Sequence, residues 1–352
     1  MDTIIRKIDE DAINTEELQQ AAEILRSGGL VAFPTETVYG LGADALNPEA
    51  SGKIYEAKGR PSDNPLIVHI ADVKDLEVLA HEIPEEAYRL AQVFWPGPLT
   101  MILKKKACVP YGTTGGLDTV AIRMPAHKLA RRLIDQSGVY VAAPSANLSG
   151  KPSPTTAEHV IRDLDGKIDM IIDGGQAALG LESTIIDLSG AVPLVLRPGC
   201  ITKTMIENIL GPIGYDPALL LHRPEENLIP KAPGMKYRHY APEGCLTIYE
   251  GSLTEVIRAI NAKAKELVEA GKRVGVIATS ETEKDYRYGC VRAIGSRKNE
   301  ESIAAGLYAT LREFDEAQTE YIFTESFEDD NLGQAIMNRL LKAAGYRVVR
   351  VP

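Results

Sequence analysis

The feature that most constrains this chain is a change of rhythm along its length. From residue 245 onward short apolar runs are joined by long amphipathic ones: "CLTIYE", "LTEVIRAINAKAKELVEAG", "RVGVIAT", "YGCVRAIG", "NEESIAAGLYATLREFDEA", "EYIFTES", "LGQAIMNRLLKAAG" and "YRVVRVP". Strands linked by crossover helices build a parallel sheet, so residues 245–352 are expected to form a small Rossmann-like parallel α/β domain. Residues 1–210 read differently, with many short strands and too few helices for regular alternation. They are expected to form one α/β domain on a mixed, twisted sheet. Between them, residues 211–244 carry no period and are dense in proline and glycine, which marks a linker. Its segment "PGMKYRHYAP" packs basic and aromatic residues together, which favours a functional loop over a passive one. A length of 352 residues suits two domains.

Composition narrows the function classes. With 44% hydrophobic and 25% charged residues the chain can bury a large core. Its net charge of -10 excludes a global attraction to nucleic acid, so any anion site must come from a local cluster. Cys108, Cys200, Cys245 and Cys290 lie far apart with no C-x-x-C pair, which argues against a thiolate zinc site or a disulfide framework. The charged start "MDTIIRKIDEDAINTEEL" lacks a signal-peptide core, and no apolar run approaches a membrane span. A soluble, cytoplasmic protein is expected.

Within the first domain, "NTEELQQAAEILRSGG" reads as a helix with Asn14 as its cap and Gly28-Gly29 as its end. "LVAF", "LIVHI", "LTMILK", "TVAIRMP", "VYVAA", "IDMIID", "STIIDL" and "PLVLRPG" read as strands. Helices are expected at "PEASGKIYEAKGR", "IPEEAYRLAQVF", "HKLARRLIDQSG" and "TKTMIENIL", with "YGTTGG" as a loop.

Residues 40–45 of "VAFPTETVYGLGADA" match G-x-G-x-x-G/A. A dinucleotide fingerprint follows its strand directly and opens a helix that holds the pyrophosphate. Here six residues separate "LVAF" from Gly40, and the helix waits until Pro48, so the glycines are expected to serve a backbone turn. No P-loop motif is present either. In "KGRPSDNPLIVHI", Lys58, Arg60 and Asn64 sit on a proline-held loop before a strand, either as a phosphate clamp or as a solvated basic turn. His69, in the strand, reads by itself as a hydrogen-bonded core histidine. Arg123 interrupts an apolar strand and needs an anionic partner or an edge position, and Thr119, four residues before it, shares its face. Ser145, Asn147, Ser149 and Ser153 follow a buried strand, where α/β sheets carry ligand loops, although turn chemistry accounts for them equally well. Ser183 and Thr184 open one strand and Arg197 closes the next. There is no H-E-x-x-H, no G-x-S-x-G and no spaced His/Cys set. Hydroxyls, amides and cations with few candidate general bases suit binding and charge neutralisation of polyanionic substrates, as in phosphoryl or nucleotidyl transfer.

Taken in order, "PTETVYGLGADA", "KGRPSDNPLIVHI", "FWPGPLT", "TVAIRMP", "APSANLSGKPSPT", "STIIDL" and "LRPG" resemble the YrdC family of threonylcarbamoyl-AMP synthases. The likeness runs from about residue 14 to 205, and "PGMKYRHYAP" with the tail resembles the long, two-domain form. The resemblance implies a twisted sheet with a concave, positively lined cavity. It implies a nucleotidyltransferase that joins L-threonine, bicarbonate or CO2 and ATP into L-threonylcarbamoyl-AMP and releases pyrophosphate, with Mg2+ carried on the ATP phosphates and no metal held by the protein. This would be the first step of N6-threonylcarbamoyladenosine formation in tRNA, with downstream transfer proteins as partners and tRNA contacted weakly or indirectly. Residue by residue, it implies that Thr35, His69, Arg123, Ser183 and the backbone of Ala143 bind threonine. It carries Arg60, Asn64, Thr119, Ser145, Ser153, Arg197 and Tyr237 to ATP, with Lys58 beside the phosphates and Lys58 and Arg60 as the catalytic cations. Two rivals stand against it. Hydrogenase-maturation carbamoyltransferases share the domain but carry zinc-finger cysteines and an acylphosphatase-like segment that this sequence lacks. A non-catalytic RNA-binding module conflicts with the negative charge and with the lack of stacking motifs in the first domain.

Overall fold

A computed structural model describes residues 2–13, 15–220, 230–235, 239–328 and 331–352. The expected cap Asn14 lies outside the described residues, as does Tyr237. The described chain falls into two compact units, one within 1–149, 153–178 and 182–237, the other within 150–152, 179–181 and 238–352.

The first unit is a mixed sheet of short strands. In chain order they are β1 (Ile4–Lys7), β2 (Val31–Phe33), β3 (Gly40–Asp44), β4 (Ile67–His69), β5 (Leu99–Lys104), β6 (Thr119–Arg123), β7 (Val141–Ala142), β8 (Met170–Asp173), β9 (Thr184–Asp187), β10 (Leu194–Arg197) and β11 (Gly214–Tyr215). Their order in the sheet is β1-β8-β2-β3-β7-β4-β6-β5-β9-β10-β11. Apolar side chains alternate between the two faces, as a period of two requires. Ala32, Val68, Met101, Ile122, Ala142 and Ile186 enter one core. On the opposite face Val31, Phe33 and Val141 join a second core under the helices Thr15–Arg26 and Lys128–Ser137. Farther along that same face Ile67, Ala121, Ile102 and Ile185 form a third cluster, covered by Ala232 and Met235.

Local signals set the helix that leads to the basic loop. Asn47 accepts from the backbone N–H groups of Glu49 and Ala50, Pro48 opens the helix Pro48–Lys58, and Gly59 closes it in the left-handed region at φ 60°. Two expectations change. "YGTTGG" contains a helical turn, Tyr111–Thr114, closed by Gly115. Gly40 and Gly42 lie in β3, paired antiparallel with β2, and not in a turn. A Cβ on Gly42 would stand 2.7 Å from the Phe33 ring and 2.8 Å from Val141, so close packing across the sheet requires the glycine. The stretch after 210, dense in proline and glycine, also carries order: β11 pairs parallel with β10, and Pro217–Leu220 forms a helical turn.

The second unit holds β12 (Cys245–Glu250), β13 (Val274–Ala278), β14 (Cys290–Ala293), β15 (Tyr321–Glu325) and β16 (Val348–Arg350). They form a parallel sheet in the order β14-β13-β15-β12-β16, with helices Leu253–Glu269, Glu300–Glu316 and Asn331–Ala343 as crossovers. The apolar runs and their linking helices dictate this directly. No helix among the described residues is long and apolar enough to cross a membrane.

Candidate active site

A row of polar side chains crosses the middle of the first sheet. His69 on β4 is in register with Arg123 on β6, and Arg123 with Thr100 on β5. Thr100 is paired with Ile185 on β9, and Ile185 with Arg197 on β10. Registered neighbours project from the same face, so His69, Arg123 and Thr100 stand side by side, with Arg197 beyond Ile185 on that face. All four are buried. His69 and Arg197 end strands whose other residues are apolar, Arg123 ends one that is apolar after Thr119, and burying such groups requires partners.

Those partners tie in the residues expected from sequence. Ser183, just ahead of β9, shares a hydrogen bond of 2.7 Å with the Thr100 hydroxyl. Arg197 donates through Nε to the Ser183 carbonyl at 3.0 Å, through Nη2 to the Ser183 hydroxyl at 3.1 Å, and through Nη1 to the Pro233 carbonyl at 3.4 Å. Ser153 donates to Glu182 Oε1 at 2.5 Å, one residue before Ser183. Arg197 therefore holds both the mouth of β9 and the segment Pro230–Met235, whose Ala232 and Met235 lie on the sheet beside it.

At the other end of the row, Arg123 finds an anionic partner that sequence reasoning missed. Its Nη1 donates to the Thr37 hydroxyl at 2.9 Å, and its Nη2 lies 2.7 Å from Glu36 Oε1. Both residues belong to "PTET", the polar run between β2 and β3. Burial, the largest influence on Glu36, raises its affinity for a proton. The Arg123 charge, together with nearby N–H groups of Arg123, Ala126 and Glu36, outweighs it and holds the carboxyl below its ordinary range. Thr35 is buried, but its hydroxyl already donates to the Val38 carbonyl at 2.6 Å and accepts from the Thr37 and Val38 amides, so it shapes the loop. His69 lies edge-on to Phe33. Burial first, and the Arg123 charge second, push it down to about 3, so the ring is neutral near pH 7. Its Nδ1 is 3.1 Å from the Ile67 carbonyl, which only accepts, so the neutral ring carries its proton there. The Ala143 amide donates to the same carbonyl at 2.8 Å.

The basic loop makes a third group. Lys58 is buried and its ammonium binds the carbonyls of Ser145 and Asn147. The Ser145 hydroxyl donates to Asn147 Oδ1 at 2.6 Å. Arg60 is not a solvated loop cation. It is 9% exposed and donates to the carbonyls of Asn64 (3.3 Å) and Pro65 (3.1 Å), so it also shapes the loop it sits on. Asn64 is 1% exposed, and its Oδ1 is buried with no hydrogen-bond partner. Thr119 opens the unbroken strand β6 two alternations before Arg123, on the same face and half-buried.

Among the described residues the first sheet thus carries a buried row of two arginines, a neutral histidine and hydroxyls, with an orphaned amide oxygen nearby, a donor set of the kind that enzymes use to hold anions. Two family models match in succession: one described as "Telomere recombination" over residues 23–199, the other as "Threonylcarbamoyl-AMP synthase, C-terminal domain" over 201–345. The threonylcarbamoyl-AMP synthase of Bacillus subtilis (strain 168) is 54% identical over 97% of this chain and 97% of its own length. That of Pyrococcus abyssi is 50% identical over 95% of this chain and 96% of its own. Among solved structures, P. abyssi Sua5 complexed with L-threonine superposes with a TM-score of 0.94 at 50% identity, covering 99% of this chain and 100% of that one. E. coli YciO matches with a TM-score of 0.51 at 27% identity, covering 55% of this chain and 95% of its own. The chain belongs to the threonylcarbamoyl-AMP synthase family.

Proposed function

We propose that this protein makes L-threonylcarbamoyl-AMP from L-threonine, bicarbonate or CO2, and ATP, releasing pyrophosphate, as the first step of threonylcarbamoyladenosine formation in tRNA. Beyond family membership, the observation that carries the reading is the buried row His69–Arg123–Thr100 continuing to Ser183 and Arg197. In this reading Arg123 takes the threonine carboxylate, while neutral His69, Ser183, Thr35 and the carbonyl side of Ala143 enclose the rest of the amino acid. Lys58, Arg60, Asn64, Thr119, Ser145, Ser153 and Arg197 are assigned to ATP, as is Tyr237 outside the described residues. The orphaned Asn64 oxygen supports this, because a buried acceptor without a partner suits a donor on a ligand.

The threonine amine adds to CO2 and loses a proton to give a carbamate. A carbamate oxygen then attacks the α-phosphorus in line, and the bond to pyrophosphate breaks. The site's donors are cations, hydroxyls and amides, and among the described residues no three His, Cys, Asp or Glu gather as metal ligands. That donor set fits a magnesium ion carried on the ATP phosphates, where it would neutralise charge on the leaving group. Lys58 and Arg60 orient the same phosphates. The segment Pro230–Met235, whose Ala232 and Met235 pack in the sheet's third cluster, serves as a lid that excludes water from a hydrolysable adenylate. The product passes in the cytoplasm to transfer proteins that modify tRNA.

The test is incubation of the protein with ATP, bicarbonate and threonine. Pyrophosphate release that requires threonine is expected; release indifferent to threonine overturns the reading. Met235→Asp should shorten the lifetime of the adenylate, and an unchanged lifetime removes the lid.

A further inference from the structure

Glu36 is a largely buried charge beside Arg123 that has no role in the threonine and ATP contacts proposed above. Its side chain is 12% exposed and that of Arg123 5%. A buried ion pair is well accommodated only when hydrogen bonds satisfy what the charges leave over. Here they do not. The two charges pair at 2.7 Å and N–H groups of Arg123, Ala126 and Glu36 lie near the carboxylate, but neither Glu36 oxygen has a hydrogen bond of good geometry. On Arg123 only Nη1 is satisfied, by Thr37, while Nε and Nη2 lack hydrogen-bond partners. A carboxylate and a guanidinium thus stand together, each with unmet capacity.

A ligand that satisfies both must carry an anion and a cationic N–H group on adjacent atoms. An α-amino acid does so, with carboxylate and ammonium on one carbon. An α-hydroxy acid satisfies Arg123 alone and sets a second negative charge beside Glu36. His69 cannot compensate, because its ring is neutral. We propose that Glu36 is a specificity-determining residue whose carboxylate receives the substrate's α-ammonium while Arg123 receives its α-carboxylate. The pocket thereby selects α-amino acids over α-hydroxy acids. The assignment rests on Arg123 being the carboxylate's partner.

The experiment compares binding of L-threonine with that of 2,3-dihydroxybutanoate, in which a hydroxyl replaces the amine. The native protein should bind the hydroxy acid at least about 30-fold more weakly, since a charge-assisted contact is lost. In Glu36→Gln, threonine binding should fall about 10- to 100-fold while the hydroxy acid changes by less than about threefold, which collapses the ratio. Equal losses for both ligands would mean that Glu36 only positions Arg123, and unchanged binding would mean that it does neither; each overturns the proposal. Equal binding of the two ligands to the native protein overturns it without any variant. If Arg123→Gln keeps full threonine affinity, the underlying assignment of Arg123 fails, a different result from failure at Glu36 alone.

Discussion

Replacing Gly42 by alanine tests whether the glycines of "YGLGADA" serve packing. The new Cβ would stand 2.7 Å from the Phe33 ring edge and 2.8 Å from a Val141 methyl. Ordinary carbon contacts begin near 3.5 Å, so ring and methyl must retreat by roughly 0.8 Å. Phe33 and Val141 are fully buried. Overpacking of this kind costs about 1–3 kcal/mol, or a Tm loss of roughly 2–12 °C for a unit of this size. The assay is urea unfolding followed by Trp95 fluorescence. Trp95 is the only tryptophan of the chain and lies in the first unit, where it is buried and donates to the Leu99 carbonyl. Gly52→Ala is the control: its Cβ meets nothing within 4 Å on the helix Pro48–Lys58, so it should stabilise by about 0.5–1 kcal/mol. Because Phe33 lies edge-on to His69, the KM for threonine should also rise in Gly42→Ala. If Gly42→Ala is as stable as the native protein and its KM is unchanged, while Gly52→Ala behaves as expected, the packing argument is refuted.

Three further outcomes follow from the site. Arg60→Ala should lower turnover at least about 100-fold, and should also lose about 1–3 kcal/mol because the Asn64 and Pro65 carbonyls lose their donor; native turnover contradicts the ATP assignment. Asn64→Leu removes an orphaned oxygen, so unfolding should shift little while the KM for ATP rises roughly tenfold; steady-state kinetics with an unchanged KM would rule out a nucleotide contact. His69 has a folded pKa of about 3 against 6.5 when unperturbed, so its contribution is complete above about pH 6.5. It is lost as pH falls towards 3, at up to about 1.4 kcal/mol per pH unit. His69→Asn should flatten stability between pH 6.5 and 4.5, and an unaltered slope there would mean that the ring is not buried neutral.

Much of this protein is legible along the chain because the relevant signals are local. The cap Asn47, the opening Pro48 and the left-handed Gly59 place the helix before the basic loop from sequence neighbours alone. The run of strands and crossover helices after residue 245 dictates a parallel sheet. Arg123 in an apolar strand demanded a partner, and its existence could be stated before its name. Which residue answers was not legible: Glu36 lies 87 positions earlier by numbering, and a salt bridge carries no sequence signal of its own. Thr100 carries no signal of its own, because a threonine in a strand is ordinary until register sets it between Arg123 and Ser183. Local pattern thus determined most of the strands and helices. Register across β4, β6, β5, β9 and β10 decided which side chains meet, because sheet neighbours are chosen by folding and not by distance along the chain.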